Sequence, residues 1–189
     1  MQLFQQQQKS GFSLVEMMVA VSLFMIVMVI SVGGLMTLVY SGAATESSLS
    51  VSTNLSLALD SMSRNIRTGY SYYCAASLPD SGALPSTTAD CSSGGAAFVF
   101  TNSRTGDRTG FRYNSTAKSI EQKLNSGSWV RITSSEITVQ ALSFYVTGSS
   151  AADTLQPTAR ILVNALSTQG NEIAPFYVQT LVTSRLLDV

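Results

Sequence analysis

The stretch SGFSLVE at residues 10–16, followed by MMVAVSLFMIVMVI at residues 17–30, decides the architecture of this chain. Between Phe12 and Tyr40 the only charged residue is Glu16. A helix over this segment would be about 43 Å long at about 1.5 Å per residue, which exceeds the roughly 30 Å hydrocarbon core of a bilayer. An ionised carboxylate at membrane depth costs about 2.5–3.5 kcal/mol, so Glu16 needs a partner of opposite charge.

The apolar run is too long for an ordinary cleaved secretory signal, whose apolar region has about 7–15 residues. The SGAA sequence at residues 41–44 could nevertheless mimic the small-residue cleavage site of such a signal. Lys9 is the only charged residue before the run. Positive charge tends to stay inside, so Lys9 predicts a cytoplasmic N-terminus and an exported C-terminal part.

This junction resembles the class III signal of type IV prepilins and type II secretion pseudopilins. The resemblance implies that a prepilin peptidase cuts after Gly11 and that Phe12 becomes the N-methylated first residue. It also implies that Glu16 neutralises the N-terminal amine of a neighbouring subunit during assembly. A buried amine and a buried carboxylate are each costly alone and tolerable as a pair. The alternative interpretation is an ordinary signal anchor that carries a stray glutamate.

The chain divides into five predicted segments. They are a leader over residues 1–11, a transmembrane or filament-core helix half over 12–40, an amphipathic helix half over 41–68, a disulfide-tied loop over 69–95, and an antiparallel β-sheet head over 96–189.

Apolar residues in the second helix half repeat in steps of three and four, which places them on one helix face. They are Val51, Leu55, Leu59, Met62 and Ile66. This stripe is either core packed against its own domain, which we favour, or a docking surface for neighbouring subunits.

Glycines mark two further features of the predicted helix. Gly33 and Gly34 each cost about 1 kcal/mol relative to alanine in a helix interior. The pair either lets the helix bend or unwind on assembly, or is simply tolerated in a membrane helix. Gly69 predicts the helix end, in a left-handed cap position.

Cys74 and Cys91 are the only cysteines, and both lie in the part predicted to be exported, where disulfides persist. A disulfide between them would stabilise the fold by about 3 kcal/mol; two free buried thiols are the alternative. Zinc sites usually need four ligands, and the chain has no histidine. The two cysteines therefore do not predict a zinc site, and we predict no metal site. Asp107, in the sequence TGD at residues 105–107, could join a calcium site, but one carboxylate does not predict one.

Short segments with strand-like patterns fill the C-terminal half. They cover residues 97–100, 109–113, 119–124, 128–133, 137–146, 160–166 and 176–187. The segments from 108 to 133 predict a three-stranded antiparallel meander, residues 168–171 predict a turn, and a change of alternation near Ala141 predicts a bulge. A long N-terminal helix packed on an antiparallel sheet is the α+β architecture of the pilin family.

A narrower resemblance concerns Leu57–Arg67 and Ser135–Val146, which look like segments of J-type minor pseudopilins and related minor pilins. It implies a structural subunit of a type IV pilus or type II secretion filament, in the tip or assembly-initiating complex. The implied partners are the prepilin peptidase, other pilins or pseudopilins, and the cytoplasmic membrane before assembly. The implied final location is an extracellular or periplasmic filament.

Two other function classes are compatible with parts of the sequence. A pilus-tip binding module, either an adhesin or a DNA-uptake receptor, would use the tyrosines at 70, 72 and 73 or the cluster Arg104, Arg108 and Arg112. Eleven basic and eleven acidic residues give no net charge, so nucleic acid is not expected as a partner. An enzyme is not expected either, because the commonest general base is absent, and no cofactor is predicted.

Overall fold

The computed structural model describes residues 11–150, 155–167 and 175–185. Within these residues one helix, α1 (Leu14–Arg67), precedes nine strands. The strands are β1 (Gly69–Ala75), β2 (Cys91–Gly95), β3 (Ala97–Asn102), β4 (Arg108–Asn114), β5 (Ser119–Leu124), β6 (Val130–Arg131), β7 (Ile137–Thr147), β8 (Thr158–Ser167) and β9 (Pro175–Thr183). The predicted α+β class is confirmed. The chain forms two compact units, Met1–Ala43 and Ala44–Val189.

The helix begins at Leu14 because Ser13 caps it. The backbone N–H of Glu16 donates a hydrogen bond to Ser13 Oγ at 3.2 Å. The backbone N–H of Met17 donates to the Ser13 carbonyl, also at 3.2 Å. Serine at the cap with glutamate three residues later is the capping-box pattern, so the sequence itself fixes the start of α1 directly after Phe12.

The other end of α1 is also capped by specific groups. The last four helix carbonyls, those of residues 64–67, accept hydrogen bonds at 2.6–3.4 Å from the Thr68 hydroxyl, the Tyr72 hydroxyl and the backbone N–H of Arg185. These bonds satisfy acceptors that a helix end otherwise leaves unpaired.

The predicted left-handed cap at Gly69 is wrong. Gly69 is the first residue of β1, and the positive φ, 53°, belongs to Ser71. A Cβ at position 69 would meet the ring of Phe100, so glycine is required here for close packing and not for backbone freedom. The strand shifts register between Tyr70 and Tyr73, where the left-handed residue lies.

The strands form two antiparallel sheets, which the sequence did not distinguish. One has the order β1-β3-β4-β5-β6 and the other the order β2-β7-β8-β9. The predicted meander is confirmed as β4, β5 and β6, and the predicted bulge is confirmed as a register shift between Val139 and Ala141. The predicted turn at 168–171 lies outside the described residues, as do positions 186–187 of the last predicted strand.

The prediction that residues 69–95 form only a loop is wrong at both ends. The first end is β1, in which the side chains of Tyr72 and Cys74 are buried. The second end is β2, which has the sequence CSSGG and pairs with β7. Serine and glycine disfavour strands, so β2 owes its conformation to pairing with β7 and not to propensity.

The core of the second unit is built from α1 and both sheets. All five residues of the predicted helix stripe are buried in it, together with apolar residues of β3, β7 and β8. At its centre the ring of Phe98 contacts those of Tyr72, Phe100 and Phe144 at centroid distances of 5.1–5.8 Å. The interpretation of the stripe as own-domain core is thus confirmed, because a buried stripe is not available for docking.

Candidate processing and assembly site

The junction at which cleavage is predicted is accessible. Residues 11–13 precede the helix and are exposed, and the side chain of Phe12 is 79% exposed. A Cβ added at Gly11 would meet nothing within 4 Å, so neither space nor a positive φ demands glycine there. The structure of the chain itself therefore does not require glycine at this position, and its role in cleavage stays a prediction. Residues 1–10 of the predicted leader lie outside the described residues.

Glu16 lies in the first turn of α1 with an exposed side chain. A carboxylate in the first turn interacts favourably with the positive end of the helix dipole. The residue is four positions after Phe12, a little over one helical turn. Processing after Gly11 would therefore produce an amine and a carboxylate near the same end of one apolar helix.

The apolar part of α1, Leu14–Gly42, is long and apolar enough to cross a membrane. Two of its serine hydroxyls bond within the helix: Ser22 Oγ donates to the Met18 carbonyl at 2.8 Å, and Ser31 Oγ to the Val27 carbonyl at 2.7 Å. Such bonds satisfy polar groups that would be costly in lipid.

The glycine pair lies inside the unbroken α1. A Cβ at Gly33 or Gly34 would meet nothing within 4 Å, and Thr37 Oγ1 donates to the Gly33 carbonyl at 3.1 Å. Flexibility at this pair during assembly stays a prediction.

The predicted disulfide is present. Cys74 and Cys91 are bonded, with their Cα atoms 5.6 Å apart. Cys74 belongs to the five-stranded sheet and Cys91 to the four-stranded sheet, so the bond joins the two sheets covalently. A Cβ at Gly95 would meet the backbone of Ala75, which explains the glycine beside the bond.

The predicted cluster of Arg104, Arg108 and Arg112 does not form one surface. Arg108 donates from Nε to the Pro85 carbonyl at 2.6 Å and from Nη2 to the Thr87 carbonyl at 3.2 Å. Its burial lowers the pKa of the guanidinium below the ordinary value. Arg108 therefore holds the segment between β1 and β2 against the sheet.

The guanidinium of Arg112 is also bound by other side chains of the fold. Its Nε donates to Glu121 at 2.8 Å, and its Nη1 donates to Asp80 at 2.5 Å. The guanidinium lies 4.2 Å from the ring centroid of Trp129, within cation–π range. Of the three predicted residues, only Arg104 is exposed.

The tyrosines at 70, 72 and 73 do not form a shared patch. Tyr72 is fully buried, Tyr73 is half-buried and packs against a separate small apolar cluster, and Tyr70 is 40% exposed. Alternation along β1 sends neighbouring side chains to opposite faces.

Carboxylates in the described residues are dispersed. No group of three or more metal-ligand side chains is found among them. Hydrogen bonds from Asn125 and from Thr105 lower the pKa of the Asp107 carboxyl. These contacts explain Asp107 as a turn-stabilising residue of the β3–β4 connection.

Comparison with known proteins identifies the N-terminal segment. A family model described as the prokaryotic N-terminal methylation motif matches residues 6–32. No curated protein and no solved structure gives a significant match to the chain. The motif and the apolar helix together support a type IV pilin-like protein, either a pilin or a pseudopilin. They also imply processing by a prepilin peptidase and assembly with other pilins.

Proposed function

We propose that the chain is a minor pilin or pseudopilin, a structural subunit in the tip or assembly-initiating complex of a type IV pilus or type II secretion filament. It is inserted in the cytoplasmic membrane with its N-terminus in the cytoplasm and its β-rich unit exported. The prepilin peptidase cuts after Gly11, Phe12 is N-methylated, and the helix then enters the filament.

One observation carries this proposal: the methylation motif coincides with the apolar part of α1, Leu14–Gly42, in which Glu16 is the only charged residue. The apolar side chains from Leu14 to Tyr40 are 49–77% exposed in the isolated chain. Apolar surface of this extent requires lipid or other helices around it. A filament core supplies other helices, and the membrane supplies lipid before assembly.

The charge of Glu16 determines when the helix leaves the membrane. In lipid the carboxylate is costly, and the new N-terminal amine of a neighbouring processed subunit is costly for the same reason. Pairing in a helix bundle stabilises both groups, whereas loss of one partner leaves the other unpaired. The carboxylate therefore favours assembly over residence in the bilayer.

The tip assignment rests on two segments that resemble J-type minor pseudopilins. In the structure Leu57–Arg67 is the last part of α1, and residues 137–146 lie in β7. Low copy number is the expected property. Quantitative mass spectrometry of purified filaments should find few copies per filament, and deletion of the gene should reduce the number of filaments. A stoichiometry equal to that of the main subunit would contradict this role.

Processing is tested by Gly11→Ala, with Gly42→Ala as the matched control. Both glycines have open space where the added methyl group would lie, so neither change should disturb folding. Immunoblots of membranes should show only precursor for Gly11→Ala and normal mature protein for Gly42→Ala. Normal processing of Gly11→Ala would exclude cleavage at this junction.

Assembly is tested by Glu16→Ala, with Glu46→Ala as the control for loss of one exposed carboxylate from the same helix. Glu16→Ala should insert and be processed but should disappear from sheared filaments, whereas Glu46→Ala should be incorporated. Equal incorporation of both variants would show that assembly does not require charge pairing by Glu16.

A further inference from the structure

A basic groove of about 490 Å³ lies where the end of α1 meets the β3–β4 turn and the end of β9. Its lining residues are polar or cationic: Ser61, Arg64, Asn65, Arg67, Thr68, Asn102, Arg104, Thr105 and Arg185. These positions come from three separate parts of the sequence. The β-rich unit therefore carries a concentration of positive charge that a chain of zero net charge does not suggest.

The guanidinium groups of three of the four arginines in the groove have no hydrogen-bond or ion-pair partner among the described residues. Arg64 pairs with Asp60 one turn earlier on the helix. Within residues 11–150, 155–167 and 175–185, no hydrogen bond or ion pair involves the guanidinium of Arg67, Arg104 or Arg185, and all three side chains are exposed. This contrasts with Arg108 and Arg112, whose guanidinium groups are held by carbonyls and carboxylates.

Capping of the helix does not account for these guanidinium groups. Basic residues at a helix C-terminus often bind the last carbonyls or stabilise the dipole. Here the carbonyls of residues 64–67 are bonded to two hydroxyls and a backbone N–H. The three guanidinium groups are therefore not needed to cap the helix and are exposed to solvent.

The composition of the lining indicates the ligand. Protein interfaces usually have aromatic or aliphatic anchors at their centre, and membrane-surface sites pair basic with apolar residues. The described lining contains only arginine, asparagine, serine and threonine. Arginine forks, amides and hydroxyls are the groups that contact phosphate oxygens, and guanidinium binds phosphate through two parallel hydrogen bonds.

We infer that this groove binds the phosphate backbone of a nucleic-acid strand without reading its sequence. The described lining has no aromatic side chain on which a base could stack, so contacts to phosphate must supply the affinity. The inference does not depend on the proposed filament role, because it concerns binding by the purified protein.

The test is fluorescence anisotropy of full-length protein in detergent micelles with a fluorescein-labelled oligothymidylate over a salt series. Three phosphate contacts give a slope of log K against log salt of about −2 for a single strand, which weakens binding about 20-fold between about 50 and 200 mM salt. Arg104→Gln should make the slope shallower by about 0.7. Replacing Arg67, Arg104 and Arg185 together with glutamine should abolish the salt-dependent binding.

Lys118→Gln is the matched control, because Lys118 is exposed and does not line the groove. It removes the same charge as Arg104→Gln and should leave the slope unchanged. Unlabelled oligonucleotides of different sequence should compete equally, and polyglutamate should compete poorly. Binding that survives the triple change, an equal effect of Lys118→Gln, or equal competition by polyglutamate would each overturn the inference.

Discussion

Breaking the bond between Cys74 and Cys91 should destabilise the β-rich unit by an amount that the loop length fixes. The two cysteines are 17 residues apart in sequence. A closed loop of this length lowers the entropy of the unfolded chain enough to stabilise the fold by about 3 kcal/mol at 25 °C. The bond also joins β1 to β2 across the two sheets, and β2 has a sequence with little intrinsic strand preference.

The chain offers a local probe for this measurement. Trp129 is the only tryptophan, and it packs beside Arg112 in the β-rich unit, so its fluorescence reports unfolding of that unit. Urea titrations of the full-length protein in detergent should show the reduced protein unfolding with a free energy about 3 kcal/mol lower than the oxidised protein. For a unit of this size the melting temperature should fall by about 6–12 °C.

Reduction keeps both sulfur atoms in place, so it isolates the covalent link from changes in packing. The double variant Cys74→Ala/Cys91→Ala should resemble the reduced protein and should not respond to reductant. Identical urea midpoints for oxidised and reduced wild-type protein would refute the stabilising role of the bond.

Three further predictions concern packing, the arginines and pH. Met62→Ala should lower the free energy of unfolding by about 2–5 kcal/mol, because Met62 is fully buried. Leu57 is 62% exposed, so Leu57→Ala should change the free energy of unfolding by less than about 0.5 kcal/mol in the same urea titration. Arg108→Met should destabilise by about 2 kcal/mol and open the segment before β2 to limited proteolysis, because it leaves two half-buried carbonyls unpaired. Arg104→Met should do neither. The Asp107 carboxyl has a pKa below its ordinary 3.8, so the stabilisation that the ionised carboxylate provides is present above pH 3.8 and is lost as the pH falls through the folded-state pKa. The difference in melting temperature between wild type and Asp107→Asn should therefore shrink on acidification below pH 3.8. A difference that is independent of pH would contradict this.

Local patterns determined the parts of the structure that the sequence predicted correctly. The step of three and four residues from Val51 to Ile66 placed a stripe on one helix face, and that face is buried. The change of alternation near Ala141 marked a bulge because side chains in a strand alternate between faces. The disulfide followed from there being only two cysteines, both in the segment predicted to be exported.

Features that depend on distant pairings were missed. The CSSGG segment is a strand because β7 pairs with it, and nothing within the five residues signals this. Tyr72 and Cys74 alternate in β1, but the shift beside Ser71 interrupts the pattern. Division of the strands into two sheets likewise depends on pairings between distant segments.

The basic groove could not be predicted for the same reason. Arg67 and Arg185 are far apart in sequence and are brought together when the end of β9 caps the end of α1. Their proximity in sequence suggested a cluster of Arg104, Arg108 and Arg112. This cluster does not form, because Arg108 and Arg112 are bound within the fold and only Arg104 is exposed. Spacing along the chain predicts which side chains share a face within one helix or strand. It does not predict which side chains lie together when a turn separates them.

The intact mass of the protein extracted from membranes decides whether the chain becomes a processed pilin-like subunit. We expect the mass of residues 12–189 plus one methyl group and minus two hydrogens, which reports cleavage after Gly11, methylation of Phe12 and the disulfide together. The mass of the full chain, or of a chain that begins near Thr45, would contradict it.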